Sequence, residues 1–355
     1  MKYLECRYDR SGFGTWIKAQ IKTNLYDYYI IFDGFDTSSM EPDKIIYRDK
    51  FLCDKIKELN RDDTVVITCN DLEGLPNIEA SNCKKILTLH DITPLKAEYL
   101  TQLQKVKWKN RVKKAVEVCD YIVTVSHFSK KDIQKEFNIS EDKIFVVYSY
   151  AQNVSEILNL DDVQQLKKID KIYNAKYVIS TVASMNLNKN FIRTALAWKK
   201  SGYYNISVLI AMSKKDSIPF RLLLALLGIK KNVYVPGYVP LERLASLYAI
   251  SDLFIFPTLR EGFGVPPLEA MALGVPVLTS NTSCMEEILG GEMAAIYINP
   301  YKVEEISKGI RRLLVDRVLV TNLIENGRTR SKEYSPARFY MEMLHVFEVC
   351  DNNSG

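Results

Sequence analysis

Residues 252–281 read DLFIFPTLREGFGVPPLEAMALGVPVLTSN. An apolar, β-rich run (252–258) leads into a polar turn, then a helical stretch, LEAMALG, then a second apolar run, VPVLTSN (275–281). Strand, turn, helix and strand in so short a span make a crossover unit, and such units join parallel strands. Ligands of open parallel sheets sit outside the carboxyl ends of the strands. The turn REGFGVPPLEA (260–270) lies at such an end. It carries Glu261 and Glu269, eight positions apart, with Gly262, Gly264, Pro266 and Pro267 between them. Glycine lets a backbone approach a ligand closely. Backbone N–H groups and a helix start favour an anion there. Proline suits a first helical turn and Gly274 suits the helix end. Carboxylates accept hydrogen bonds from pairs of hydroxyls. Spacing alone leaves a plainer alternative open, in which Glu269 complements the helix dipole and Glu261 is a solvated loop residue.

The same rhythm runs through the whole chain. DYYIIFDG (27–34), TVVITCND (64–71), KKILTLHD (84–91), the first part of DYIVTVSHFSKKDIQKEF (120–137) and KIFVVYSY (143–150) read as strands ending in polar turns. AQNVSEILNLDDVQQLKKIDKIYN (151–174) is polar, lacks a strong strand signal and reads as a connection between two domains with room for some helix. A second series follows with KYVISTVAS (176–184), NISVLIA (205–211), NVYVPGYV (232–239), DLFIFPT (252–258), VPVLTSN and AAIYINP (294–300). Strands alternating with helical stretches predict two doubly wound, Rossmann-like α/β domains in tandem. The expected boundaries are 1–155 and 172–332, with the final helix (336–350) returning to the first domain.

Composition narrows the function. A net charge of +5 over 355 residues gives no general basic surface, so nucleic-acid binding is not expected. The seven cysteines are widely spaced with no C-x-x-C pair, which argues against a disulfide framework or structural zinc site and for a reducing compartment. The first residues have no apolar signal core and no apolar run is long enough to span a bilayer. A cytoplasmic protein is expected.

The segment 252–281 closely resembles the signature of family 4 glycosyltransferases, whose hallmark E-x7-E is matched by Glu261 and Glu269 within FPT…EGFG…P-x-L-E-A-M-A…G-x-P-V. Other stretches are similar to the same family. SGFGTW (11–16) resembles its N-terminal glycine loop, with Gly12 and Gly14; a dinucleotide fingerprint lacks its third glycine, since Ile17 stands there. LHDITPL (89–95) supplies His90 and Asp91 at a strand end, where Asp91 can equally cap the next turn. VSHFSKKDI (125–133) matches a structural stretch, and NVYVPGYVPLERLASLY (232–248) places Gly237 on a loop. ASMNLNKN (183–190) matches at Lys189 and Asn190, but Asn188 stands where the family usually has arginine. Asparagine cannot supply the bidentate fork, so either Arg193 substitutes or the grip on phosphate is weaker.

The resemblance implies a GT-B fold, two such domains facing a cleft, and transfer of a hexosyl group from a nucleotide diphosphate sugar with retention and without a metal cofactor. It implies that Glu261, His90 and Lys189 serve catalysis. It also implies that Gly12, Gly14, Asn188, Lys189, Gly237, Gly262, Phe263, Gly264, Val265, Leu268 and Glu269 hold the donor, with Glu261 on the sugar, Glu269 on the ribose and the amides of 262–265 on the diphosphate. Two carboxylates could instead suggest a glycoside hydrolase, whose acids flank the scissile bond; both glutamates on one side of one ligand suit binding. The pattern looks most like transferases of GDP-mannose or a deoxyhexose. The alternative is a non-catalytic or weakly active sugar-nucleotide or glycan binder, which Asn188 favours. For the acceptor, a glycan or lipid-linked hydroxyl, the stretch 104–119 is notable. From Lys96 to Lys114 there are seven Lys or Arg against Glu98, and Trp108, Val112, Ala115, Val116 and Cys119 recur at helical spacing. A basic amphipathic helix lying on the inner membrane face, or a packed helix with a solvated lysine face, would both give that pattern.

Overall fold

The computed structural model describes residues 1–7, 12–33, 35–68, 70–98, 100–151, 154–168, 176–182, 187–202, 206–211, 214–228, 233–237 and 239–352. The chain forms two compact units, Met1–Ser149 with Pro336–Gly355, and Tyr150–Ser335.

The first unit is built on a parallel sheet of β1 (Lys2–Cys6), β2 (Tyr28–Ile31), β3 (Ile45–Tyr47), β4 (Thr64–Ile67), β5 (Lys84–Thr88), β6 (Tyr121–Thr124) and β7 (Ile144–Val146). Their order is β3-β2-β1-β4-β5-β6-β7. β4 is buried along its whole length, as expected for a strand covered on both faces. Helices α1 (Gly12–Lys22), α2 (Gln102–Val118) and α3 (His127–Phe137) belong to this unit. β3 has no counterpart in the sequence reading. Three residues at a sheet edge are too short to show a period.

The second unit has a parallel sheet of β8 (Tyr177–Val182), β9 (Ile206–Ala211), β10 (Val233–Gly237), β11 (Leu253–Phe256), β12 (Val277–Ser280) and β13 (Ile296–Ile298), ordered β10-β9-β8-β11-β12-β13. Its helices are α4 (Leu160–Lys167), α5 (Phe191–Ser201), α6 (Lys214–Leu226), α7 (Leu241–Ala249), α8 (Val265–Ala272), α9 (Met285–Leu289), α10 (Val303–Val315) and α11 (Arg317–Lys332). The stretch expected to be a connection with some helix carries α4. Asn159 caps it by accepting from the amides of Asp161 and Asp162. Leu166 is fully buried with Val178 and Leu247, and Asp162 pairs with Arg243 of α7. The final helix, α12 (Pro336–Asn352), packs in the first unit, with Phe339 against Trp16 and Phe347 edge-on to Tyr26.

Each sheet runs outward from its first strand, then reverses past it. The order changes hand between β1 and β4, and again between β8 and β11. Such switch points are where open α/β sheets bind ligands.

Helix α2 narrows the membrane expectation. Its apolar face is already occupied: Val112, Ala115 and Cys119 are buried in the core of the first unit, with Trp108 and Val116 packed against them. Its cations meet acids of the same unit, Lys109 with Glu136 at 2.6 Å and Lys114 with Glu79 at 2.7 Å. Helical spacing shows which face is apolar, not what covers it.

Candidate functional site

In the second unit, β8 and β11 are neighbours at the switch point, and the segments that follow them meet. After β8 come Asn188, Lys189 and Asn190, in a short 3-10 turn running into α5. After β11 come Thr258 to Gly264, then α8. Asn188 is buried and ties the two together. Its side-chain amide donates to the Arg260 carbonyl, and its own carbonyl accepts from the Leu259 amide at 2.8 Å and the Thr258 hydroxyl at 3.0 Å. In the place of the expected arginine, the asparagine is a clasp on the Glu261 loop. Asn190 adopts a left-handed φ of 53° and donates to the carbonyls of Pro257 (2.9 Å) and Pro300 (2.7 Å). Arg193 donates to Asn190 Oδ1 at 3.1 Å and lies over the Tyr301 ring, 5.4 Å from its centroid. These contacts anchor Arg193 beside Asn190.

Lys189 and Glu261 meet directly, Nζ to Oε1 at 2.7 Å. The ammonium also lies over the Phe256 ring, 4.7 Å from its centroid. The Thr258 hydroxyl also lies 2.8 Å from the same Oε1, its single proton shared between that oxygen and the Asn188 carbonyl. Among the described residues, Oε2 of Glu261 takes no hydrogen bond, so it can accept one from a ligand hydroxyl. The Glu261 amide donates to Ser283 Oγ at 3.2 Å, and the Cys284 thiol reaches the carbonyls of Glu261 and Phe263 at 3.2 Å each. The loop is therefore held from three sides.

Gly264 is the residue before α8 and has φ 95°, a left-handed conformation that disfavours any side chain. A Cβ there would also lie 2.5 Å from Met285 Cε. Val265 opens the helix, and the next two residues, Pro266 and Pro267, have no N–H. Of the donors a helix start ordinarily leaves open, this one offers an anion the amides of Gly264 and Val265. Phe263 is buried, edge-on to Tyr334 at 5.4 Å. Leu268 is fully buried and serves packing.

Glu269 is 5% exposed and accepts a hydrogen bond from the Tyr248 hydroxyl at 3.1 Å. Burial pushes its carboxyl up to about 7, against which the Tyr248 bond works weakly. Burial also raises the Tyr248 hydroxyl well above the ordinary tyrosine range, so it stays a donor. Oε1 of Glu269 has no partner among the described residues. The two glutamates thus sit in contrasting surroundings, one paired to a cation and one desolvated. Gly237 ends β10, where the register against β9 shifts.

In the first unit, Gly12 and Gly14 lie in the first turn of α1 rather than in a loop; residues 8–11 lie outside the described residues. Their amides remain at a helix start. His90 follows β5, one strand from the switch point. Its ring sits on Trp16 of α1, centroids 5.5 Å apart. The residue keeps some exposure, but Nε2 is covered, and desolvation lowers the imidazole to about 4. His90 is accordingly neutral at pH 7. Asp91 Oδ1 accepts from the Thr93 amide at 2.7 Å, the turn-capping role that was its alternative. Sequence reasoning missed Thr258, Tyr248, Ser283 and Cys284. Thr258 and Tyr248 stand inside the quoted motifs, but nothing in the sequence marks their hydroxyls as partners of the glutamates.

Comparison with known proteins bears on the family. Residues 162–330 match the family model of glycosyl transferases group 1. That match coincides with most of the second unit and contains every residue of the Lys189–Glu261–Glu269 set. Among curated relatives, the chain is 30% identical over 217 residues to the O-antigen chain mannosyltransferase RfbU of Salmonella typhimurium, covering 60% of this chain and 56% of the relative. It is 26% identical over 275 residues to the O-antigen chain mannosyltransferase B of Escherichia coli, covering 75% and 70%. The match thus spans little more than half the length of the first of these relatives. Among solved structures, Anabaena Alr3699/HepE in complex with UDP and glucose superposes with a TM-score of 0.79 at 14% identity, covering 98% of this chain and 100% of that one. The fold is of the GT-B class, with two doubly wound parallel sheets. Among the described residues no helix is long and apolar enough to cross a membrane.

Proposed function

We propose that the protein is a retaining glycosyltransferase that moves a hexosyl group, mannose foremost, from a nucleotide diphosphate sugar to a hydroxyl of a glycan or lipid-linked acceptor. The observation that carries this reading is the Lys189–Glu261–Thr258 cluster beside the Gly264–Val265 amides, all at the β8/β11 switch point of the unit that the group 1 model matches. Mannose is favoured by the names of the relatives.

Each group has a task in this reading. Glu261 presents Oε2 to a hydroxyl of the donor sugar and fixes its anomeric carbon. Lys189, now neutralised by Glu261, moves its charge toward the diphosphate, where the Gly264 and Val265 amides also point their dipoles. Groups aimed at the charge that develops on the leaving diphosphate contribute most to the rate. Glu269 accepts ribose hydroxyls through Oε1. The acceptor oxygen bonds to the anomeric carbon on the face from which the nucleoside diphosphate departs. The breaking bond is that between the anomeric carbon and the phosphate oxygen, and that oxygen takes the hydroxyl proton. The protein supplies the cation for the diphosphate, so no metal is required. The setting is the cytoplasm, where peripheral contact through the first unit would fall to the outer end of α2, with Leu103 and Val106 beside Lys105 and Lys107.

A weakly active sugar-nucleotide binder is the second reading, favoured by Asn188, which brings no charge to the diphosphate. Incubating the protein with GDP-mannose and lipid-linked glycan acceptors, with and without EDTA, separates the two. Product with retained anomeric configuration, unaffected by EDTA and abolished by Glu261→Ala, supports the transferase. Tight nucleotide binding without product supports the binder.

A further inference from the structure

Among the described residues, six other than glycine have a left-handed φ, and five of the six are asparagine. Asparagine tolerates that region better than most side chains, so those five need no further account. The sixth is Ser283, with φ 56°. A serine there holds backbone strain, which persists only where the surroundings impose it. Strain of this kind gathers at ligand sites.

The Glu261 loop imposes it. Ser283 lies in the short segment after β12, and both of its neighbours grip that loop. The Thr282 hydroxyl donates to the Leu259 carbonyl at 3.2 Å, and the Cys284 thiol reaches the carbonyls of Glu261 and Phe263. Those two side chains address carbonyls. Ser283 takes an amide, that of Glu261 itself, at 3.2 Å. Its own proton goes to the Thr282 carbonyl at 2.6 Å, which leaves a lone pair for the amide. Glu261 is thus anchored twice: Lys189 holds Oε1 of its side chain, and Ser283 holds its backbone. The place of Oε2, the oxygen left for a ligand, follows from those two anchors. Among the described residues, Ser283 makes no hydrogen bond to Glu269 or Tyr248, the nucleotide end of the proposed site. We infer that Ser283 is a positioning residue for the donor sugar: it sets Glu261, and so governs the hold on the sugar half of the donor apart from the nucleotide half. The inference rests on the reading of Glu261 as the carboxylate that binds the sugar.

Two substitutions separate positioning from support of the fold. Ser283→Ala removes the hydroxyl and keeps the strain. Ser283→Gly removes the hydroxyl and relieves the strain, since glycine takes this φ freely. The glycine variant is therefore expected to melt above the alanine variant. Calorimetric titration then compares GDP-mannose with GDP, and UDP-glucose with UDP, using whichever pair the wild type binds. Both variants are expected to bind the sugar nucleotide about tenfold more weakly than the wild type, and the nucleoside diphosphate within about twofold of it. A role confined to stability would instead follow the melting order. Sugar-nucleotide affinity restored in the glycine variant, equal loss for both ligands, or unchanged affinity in both variants overturns the proposal. So does a glycine variant that melts below the alanine variant. If Ser283 variants bind as the wild type does while Glu261→Ala does not, the reading of Glu261 stands and only the role of Ser283 falls. A wild type that binds neither sugar nucleotide removes both.

Discussion

Glu269 shows how a buried carboxyl burdens the fold that holds it. Desolvation keeps its carboxyl protonated up to about pH 7, so the native state holds this proton more tightly than the unfolded chain does. Its contribution to stability is therefore greatest below the ordinary carboxylate range and is lost as pH rises toward 7. Glu269→Gln removes that dependence. In thermal melts the variant is expected to exceed the wild type at pH 8, by up to about 3 kcal/mol, with the gap closing near pH 5. His90 works in the opposite sense. Burial depresses its imidazole to about 4, so its contribution is present above the ordinary histidine range and lost as pH falls from about 6.5 toward 4. A His90→Gln variant should lose less stability than the wild type over that interval. Neither shift can be seen in sequence, because each depends on what covers the residue. Lys189→Ala is expected to cost about 10²–10³ in kcat, read in the transfer assay, since in the proposed reaction it is one of few groups set on the leaving diphosphate.

At the scale of elements, the Glu261 loop is legible in the sequence because its signals are local. Glycines, prolines and two glutamates lie within a dozen positions, and a strand visibly precedes them. The supports are not legible, because Ser283 and Asn188 reach the loop from 22 and 72 positions away, and Tyr248 reaches Glu269 from 21. Read from sequence, Asn188 is a deficit of charge. In the structure it braces the Glu261 loop by a bond that a longer guanidinium would not make in the same place. Gly264→Ala tests the loop's geometry. The left-handed φ and the contact with Met285 together should cost about 1–3 kcal/mol in urea denaturation. In a double-mutant cycle with Met285→Ala, which carries its own cost because Met285 is fully buried, only the steric part should appear as coupling, because the φ remains.

Over the whole molecule, the two sheets share one winding pattern, and the alternation of strands with helical stretches makes that pattern readable. What alternation cannot give is where the last helix goes by contact. The Phe347 side chain of α12 is fully buried, edge-on to Tyr26 with the Lys2 ammonium over its ring. Phe347→Ala should cost about 3–5 kcal/mol of the first unit's stability and leave nucleotide binding by the second unit nearly unchanged, which melts with and without GDP would show. The central claim is that one ligand, a nucleotide diphosphate sugar, lies along residues 260–270 with its ribose on Glu269 and its sugar on Glu261. Calorimetric titration of GDP-mannose into the wild type and into Glu269→Gln tests that most directly. At pH 8, where the Glu269 carboxyl is ionised, the account predicts saturable binding by the wild type, at least about tenfold weaker in the variant from lost charge-assisted hydrogen bonds. Equal affinity in the two proteins would contradict it.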